Sequence, residues 1–158
     1  MYKRQWLAEE LRKPAELRVL GSSIQVLPAV HPAEKWANMP LERTRLLELI
    51  DNAESGAVVV LSGDQHLGEV SLEKRPAGYT LVEVTSSGMT HARGLLPAPN
   101  QFRIGKPAVA HNFGTLKIDW NAPIPTLTVA IRNVEGTAVI DRTFRIEELS
   151  PPATRTGG

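Results

Sequence analysis

Residues 58–69 read VVVLSGDQHLGE, and this stretch decides how the fold is interpreted. Its first four residues are all apolar, which predicts a strand covered on both faces, as in a parallel sheet between helical layers. The strand leads directly into Asp64 and His66, two side chains that are costly to bury. Open α/β sheets bind ligands at the carboxyl ends of their strands, so we expect a functional site here.

The composition of the chain fits one globular domain. Its 158 residues are 42% hydrophobic, and a domain of this length buries roughly 70% of the surface that its unfolded chain exposes. Its 18 Lys and Arg against 17 Asp and Glu give a net charge of +1, which disfavours nucleic acid and membrane surfaces as partners. The absence of cysteine excludes thiolate ligands and disulfides. Without a signal peptide or an apolar span, the sequence as written predicts a soluble, unexported and therefore cytoplasmic protein.

The first half predicts a β-α-β unit preceded by a helix. Apolar residues at helical spacing before Pro14 predict a first helix that ends near Lys13. Residues 16–28 predict a strand, residues 40–53 a second helix, and residues 57–62 a parallel strand. The apolar residues expected on one face of the second helix are Leu41, Leu46, Leu47 and Ile50.

The second half changes to the two-residue period of antiparallel strands. Residues 79–87, 113–120, 126–133 and 137–149 alternate between apolar and polar side chains, which predicts a meander. We therefore expect an α/β fold that becomes α+β in its second half. Residues 150–158 are polar and rich in Pro and Gly, which predicts a disordered tail.

Asp64 and His66 are the first candidates for a metal site. In an extended segment alternate side chains point to the same side, so the two groups can meet one ion or two neighbouring ions. Carboxylate and imidazole both suit transition metals, and the carboxylate also suits calcium. The alternative is that Asp64 caps a turn and His66 is an ordinary loop histidine, because Gly-Asp-x-His alone is a weak pattern.

Five segments, taken in order, resemble those of the alkaline phosphatase D-like metallophosphoesterases. They are residues 5–28, 34–50, 59–71, 84–91 and 112–120. The third resembles the Ser-Gly-Asp-x-His-x-x-Glu metal loop of that family, the fourth its Thr-Ser-Ser-Gly-x-Thr-His segment, and the fifth its Asn-Phe-Gly hairpin. The resemblance implies a four-layer α/β/β/α sandwich and the hydrolysis of phosphate esters at a metal cluster.

The same resemblance implies that residues 1–149 correspond to the carboxyl-terminal half of a metallophosphatase domain. The first half of the family brings aspartate-rich loops, including a Trp-Asp-Asp-His-Asp type segment, and no such run occurs here. We therefore expect a truncated domain with an incomplete metal site and an inactive isolated chain. Family relatives are often exported, which leaves the native compartment open.

The resemblance also implies roles for single residues. It makes Asp64 and His66 metal ligands and Glu69 a supporting or structural carboxylate. It implies that His91 is catalytic, acting at the leaving group or fixing a ligand, and the alternative is a loop residue that is hydrogen-bonded to the backbone.

Further candidates for substrate contact are Ser22, Ser23, Gln25 and Arg43. The first three follow the first predicted strand, where other metallophosphoesterases often carry a histidine ligand, and the alternative is that they form a turn. The guanidinium group of Arg43 could clamp a phosphate, and the alternative is a solvated or ion-paired charge on the helix. The same two interpretations are open for Arg103. His31 and His111 receive no functional role.

The function implied is the metal-dependent hydrolysis of small phosphate monoesters or diesters, with calcium, iron, zinc or manganese as the ion. Two other classes remain open: a non-catalytic remnant that serves as an interaction module, and a small-ligand or metal-binding α/β domain. Half a sandwich exposes apolar faces and strand edges. We therefore expect a homo-oligomer or a complex with a separate amino-terminal half, with a hydrophobic patch opposite the two helices.

Overall fold

A computed structural model describes residues 2–53, 56–92 and 98–152 of the chain. In these residues two β-sheets pack face to face, and two α-helices cover the outer face of the first sheet. The helices are α1 (Tyr2–Arg12) and α2 (Pro40–Asp51), and two 3-10 helices span Trp36–Asn38 and Ile146–Leu149. The strands are β1 (Leu17–Gly21), β2 (Ala57–Ser62), β3 (Gly68–Lys74), β4 (Thr80–Ser86), β5 (Arg103–Ala108), β6 (Asn112–Asp119), β7 (Thr126–Asn133) and β8 (Ala138–Arg145).

The first sheet contains five strands in the order β1-β2-β4-β3-β5. Strand β2 pairs in parallel with β1 and β4, while β3 runs antiparallel to its neighbours β4 and β5. Since α2 connects the parallel strands β1 and β2, the predicted β-α-β unit is confirmed. The second sheet, β6-β7-β8, is antiparallel, so the predicted meander is confirmed for the last three strands.

The first sheet buries both of its faces, and each face has its own apolar core. On one face Val59 and Val82 pack with Ile131 of the second sheet. On the other face Val58 packs in a cluster that includes Ile50 of α2. Because successive side chains of a strand point to opposite faces, a strand between two cores is apolar at every position. The uninterrupted apolar run of β2 follows from this position.

The strand predicted from residues 79–87 does not belong to the meander. It forms β4, which is parallel to β2 and buried at every position except Ser86. Its polar residues Glu83 and Thr85 face buried hydrogen-bonding groups rather than solvent. The two-residue period therefore predicted this strand correctly, but its assignment to the meander was wrong, because it lies in the first sheet.

Other elements also differ from the sequence pattern. Strands β3 and β5 were not predicted, and β1 ends at Gly21, so the rest of the predicted strand is a loop. Leu41, expected on the apolar face of α2, is 73% exposed. At about 3.6 residues per turn it lies on the side of the helix opposite Ile50, which is buried.

Two remaining expectations concern the ends of the chain and membranes. Most of the predicted tail, residues 153–158, lies outside the described residues. Neither α-helix in the described ranges combines the length and the hydropathy that a membrane crossing requires.

Candidate functional site

The parallel strands bring three loops to one edge of the first sheet. Ser22–Ser23 follow β1, Gly63–His66 follow β2, and Ser87–His91 follow β4. A Cβ atom on Gly63 would lie 3.4 Å from the carbonyl oxygen of Ser23 and 3.8 Å from a side-chain atom of the third loop. The three loops are therefore in van der Waals contact at the carboxyl edge, where sheets of this kind bind ligands.

His66 and His91 lie side by side at this edge. Their ring centroids are 4.6 Å apart and their ring planes are inclined by 72°. The backbone N–H of His66 donates to the Ser87 hydroxyl at 2.9 Å, and the backbone N–H of Ser87 donates to the carbonyl oxygen of Leu67 at 3.1 Å. These bonds tie the loop that carries His66 to the loop that carries His91. His66 is half-buried and His91 is exposed.

The loop that carries Asp64 and His66 is bent, so the expectation of an extended segment is wrong. Both residues have a left-handed backbone, with φ of 67° and 54°. Aspartate and histidine adopt this region more readily than most residues, and backbone strain of this kind is concentrated at functional sites. Asp64 is exposed to solvent. The partner that the fold provides for the His66 ring is His91.

Glu69 is buried behind these loops in a polar cluster. One of its carboxylate oxygens accepts from the Gln25 amide at 2.6 Å and from the Asn100 amide at 2.9 Å. The other oxygen accepts from the Arg103 guanidinium, which forms an ion pair with it. With both oxygens engaged by the protein, Glu69 acts as a structural carboxylate, and Arg103 is used by this pair rather than by a phosphate.

Arg43 holds the loop that follows β1. Its Nε and Nη2 atoms donate to the carbonyl oxygens of Val26 and Leu27 at 2.7 and 2.9 Å. The backbone N–H groups of the same two residues donate to the carboxyl group of Glu83 at 2.8 and 2.7 Å. Burial raises the pKa of Glu83. Two donors of Arg43 thus fix the backbone of the protein, in contrast to the expected phosphate clamp.

The candidates after β1 have different environments. The Ser22 hydroxyl donates to the carbonyl oxygen of Ile24 at 2.6 Å and accepts from the Trp36 indole at 2.9 Å, so this residue forms a turn. Gln25 is buried, and its amide nitrogen donates to Glu69 and to Thr85, so it joins the polar cluster rather than contacting a substrate. Ser23 is exposed at the edge and remains a candidate for substrate contact.

Three residues with a clear place at the site were not singled out from the sequence. Ser87 joins the two histidine loops, Asn100 holds Glu69, and Asn112 is buried between the segments next to the two histidines. The Thr-Ser-Ser-Gly and Asn-Phe-Gly motifs contain two of them, so the signal was present. Its meaning depends on contacts between distant segments.

The donor set fits a transition metal in kind. The two adjacent imidazoles and the exposed carboxylate of Asp64, on the same loop as His66, are of the kinds that such ions prefer. In number it falls short, since no three His, Cys, Asp or Glu side chains within residues 2–53, 56–92 and 98–152 lie close enough to hold an ion.

Comparison with known proteins establishes the fold. No protein-family model matches this chain, and no curated protein matches its sequence. The solved structure of PhoD, alkaline phosphatase D, matches 92% of this chain with a TM-score of 0.71. This chain has the fold of part of PhoD. The identity is 16%, so the likeness shows a phosphoesterase-like fold, and this chain spans 33% of the PhoD chain. The predicted resemblance to PhoD and the mixed α/β fold are confirmed.

Proposed function

We propose that this chain supplies one side of a metal-dependent site that hydrolyses phosphate esters. The observation that carries the proposal is the pairing of His66 and His91 at the carboxyl edge of a sheet with the PhoD fold. The substrate class is a small phosphate monoester or diester. The ion is calcium, iron, zinc or manganese.

Each residue of the edge has a chemical role in this proposal. Asp64 and His66 would hold the ion, which would activate water for attack and offset the negative charge of the phosphate. The Ser87 hydroxyl keeps His66 in place by accepting a hydrogen bond from the backbone N–H of His66. His91 is exposed, so it is accessible to a substrate and protonates the ester oxygen as that oxygen leaves phosphorus. A monoester gives an alcohol and inorganic phosphate, and a diester gives an alcohol and a phosphomonoester.

Zinc binding to the purified chain tests the metal role. We expect weak binding by titration calorimetry, because the described residues supply fewer than three clustered ligands. His66→Ala should weaken the affinity by at least about tenfold, while Asp141→Ala, at an exposed carboxylate on β8, should leave it unchanged. Binding that is absent from the wild type, or equal in both variants, would contradict the proposal.

Hydrolysis of a chromogenic phosphate ester tests the catalytic role. With calcium, iron, zinc or manganese present, we expect little or no turnover by the 158-residue chain alone, since the ligand set is small. Robust turnover that His66→Ala abolishes would show instead that these residues complete the site.

A second candidate is a non-catalytic interaction module with the same fold. The same observation of fewer than three clustered ligands favours it. A chain that binds no zinc and hydrolyses no ester, yet folds stably, is the result that this candidate predicts.

A further inference from the structure

Asn112, the first residue of β6, lies between two glycines of the histidine loops. It is 2% exposed. A Cβ atom on Gly88 would lie 2.1 Å from its Nδ2 atom, and a Cβ atom on Gly68 would lie 2.6 Å from its Oδ1 atom. At Gly88 the three nearest atoms all belong to Asn112, so this position has no room for a side chain while Asn112 is present. At Gly68 the Cγ2 atom of Ile131 lies closer still, at 2.5 Å, so Ile131 and Asn112 together fill the space there.

Hydrogen bonds fix Asn112 to three parts of the fold. Its backbone N–H donates to the carbonyl oxygen of Gly88 at 3.2 Å. Its Nδ2 atom donates to the carbonyl oxygens of Ala110 at 2.8 Å and Ala108 at 3.3 Å, beside the end of β5. The Oδ1 atom is buried and has no hydrogen-bond partner among the described residues. This oxygen lies on the side of Gly68, next to Ile131.

The two glycines are close in sequence to the two histidines. Gly68 follows His66 by two residues, and Gly88 precedes His91 by three. Asn112 therefore occupies the space between the segment that leaves one histidine and the segment that leads to the other. Its volume sets how closely these segments approach on the side of the second sheet, while Ser87 bonds them directly.

We infer that Asn112 is a positioning residue that sets the spacing of His66 and His91, with Gly68 and Gly88 shaped to receive it. The inference rests on the proposed function for its catalytic meaning, but its geometric content stands on the contacts of Asn112 alone.

The first test is the coupling between Asn112 and Gly88. In the wild type, Gly88→Ala should lower the midpoint of urea unfolding, because the new methyl group collides with Nδ2. In an Asn112→Ala background the same substitution should lower the midpoint by clearly less, since the colliding group is gone. Equal effects in both backgrounds would overturn the inferred fit.

The second test reports the spacing of the histidines. The wild type should show a nuclear Overhauser effect between the ring protons of His66 and His91, and Asn112→Ala should lose it while keeping its circular dichroism spectrum. Lys117→Ala, an exposed change on the same strand, should keep the effect. If Asn112→Ala does not fold, Asn112→Ser takes its place, since serine also lacks the amide group that lies against Gly88. A folded variant that retains the effect would overturn the inference.

Zinc affinity separates this inference from the proposed function. Where the wild type binds zinc, Asn112→Ala should weaken binding by at least about tenfold, as loss of a group supporting metal ligands does. Unchanged affinity would overturn the inference and leave the proposed function standing. A wild type that binds no zinc but shows the ring contact and its loss in the variant would contradict the function and support the positioning role.

Discussion

At the scale of single residues, the backbone of the loop after β2 is strained at the two proposed metal ligands. Asp64 and His66 both adopt the left-handed region, which costs a residue with a side chain roughly 1–2 kcal/mol. The bonds of Ser87 to this loop help to hold the conformation. Glycine at either position would relieve the strain and would also remove the proposed ligand.

Substitutions of Asp64 should test the left-handed backbone of this loop. Asp64→Asn should change the free energy of unfolding by less than about 0.5 kcal/mol, because asparagine tolerates this backbone and the site is exposed. Asp64→Val should lower it by about 1–2 kcal/mol, because a β-branched residue is strongly disfavoured there. Urea unfolding measures both changes. Equal stability of the two variants would show that the loop is not left-handed in solution.

His31 should make the protein sensitive to mild acid. It is 4% exposed, and neither ring nitrogen has a hydrogen-bond partner within the described part of the chain. Burial, helped by the positive charge of Lys35, holds its pKa below the ordinary value of 6.5. The unfolded chain therefore takes up a proton first, and stability is lost as the pH falls through about 6.5.

His31→Gln should flatten this pH dependence. The wild type should lose stability between pH 7.5 and 5.5 with a contribution from His31 no steeper than about 1.4 kcal/mol per pH unit, and the variant should lack that contribution. Urea unfolding at both pH values measures it. Glu83 acts in the opposite direction, since its raised pKa favours the folded state at lower pH, but it is common to both proteins. Equal slopes would show that His31 titrates normally when folded.

At the scale of elements, buried polar groups attach the loop after β1 to the first sheet. Gln25 joins Glu69 of β3 and Thr85 of β4, and Glu83 receives the next two backbone N–H groups. Arg103, at the start of β5, completes the cluster. On the helix-facing side of the first sheet, the part near the carboxyl end of β4 is therefore held by hydrogen bonds. The rest of this face is held by the apolar residues that contact the helices.

Loss of Glu69 should be among the most damaging changes in the chain. Glu69→Ala should lower the free energy of unfolding by about 3–5 kcal/mol, because it leaves the largely buried guanidinium of Arg103 without its carboxylate. Glu42→Ala, which breaks the exposed pair with Arg45, should cost less than about 1 kcal/mol. Chemical unfolding compares the two. A loss at Glu69 no larger than that at Glu42 would show that the cluster adds little to stability.

At the scale of the whole molecule, the two sheets leave one side of the sandwich open, next to the edge strands β1 and β6, and this side is called the flank. The second sheet contacts β3, β4 and β5, so β1 extends beyond it, and β1 and β6 are both edge strands in the described chain. Between the sheets, cavities of about 280 and 510 Å³ open at the two ends of this flank. The exposed apolar residues near it are Val19, Ile118, Trp120 and Ile124. The apolar surface expected opposite the helices is thus largely covered by the second sheet, whereas the flank keeps apolar side chains exposed.

We propose that copies of the chain associate through this flank, because open strand edges beside apolar surface recruit further strands. Val19→Lys should shift light scattering at high protein concentration towards the monomer, since Val19 is 50% exposed on the edge strand β1. Val134→Lys, at a 69% exposed residue between β7 and β8, should leave the association unchanged. A wild type that stays monomeric at high concentration would contradict the proposal.

The sequence by itself determined the elements whose signals are local. The apolar run of β2, the helix that starts at Pro40 and the alternating strands of the second sheet were predicted from neighbouring residues, since periodicity reflects which faces are buried. The motif of residues 62–69 was predicted to follow a buried strand, and it does follow the carboxyl end of β2, where sheets of this kind bind ligands. That this edge is functional stays a prediction.

Only the tertiary structure decided which of these elements meet. The position of β4 between β2 and β3, the engagement of Arg43 by the backbone and the pairing of His66 with His91 all join residues far apart in sequence. A buried polar residue has the same one-letter code whether its partner is a substrate, an ion or a peptide group. Because the free energy of burial depends on that partner, the contacts of each polar residue follow from packing and could not be read from the sequence pattern.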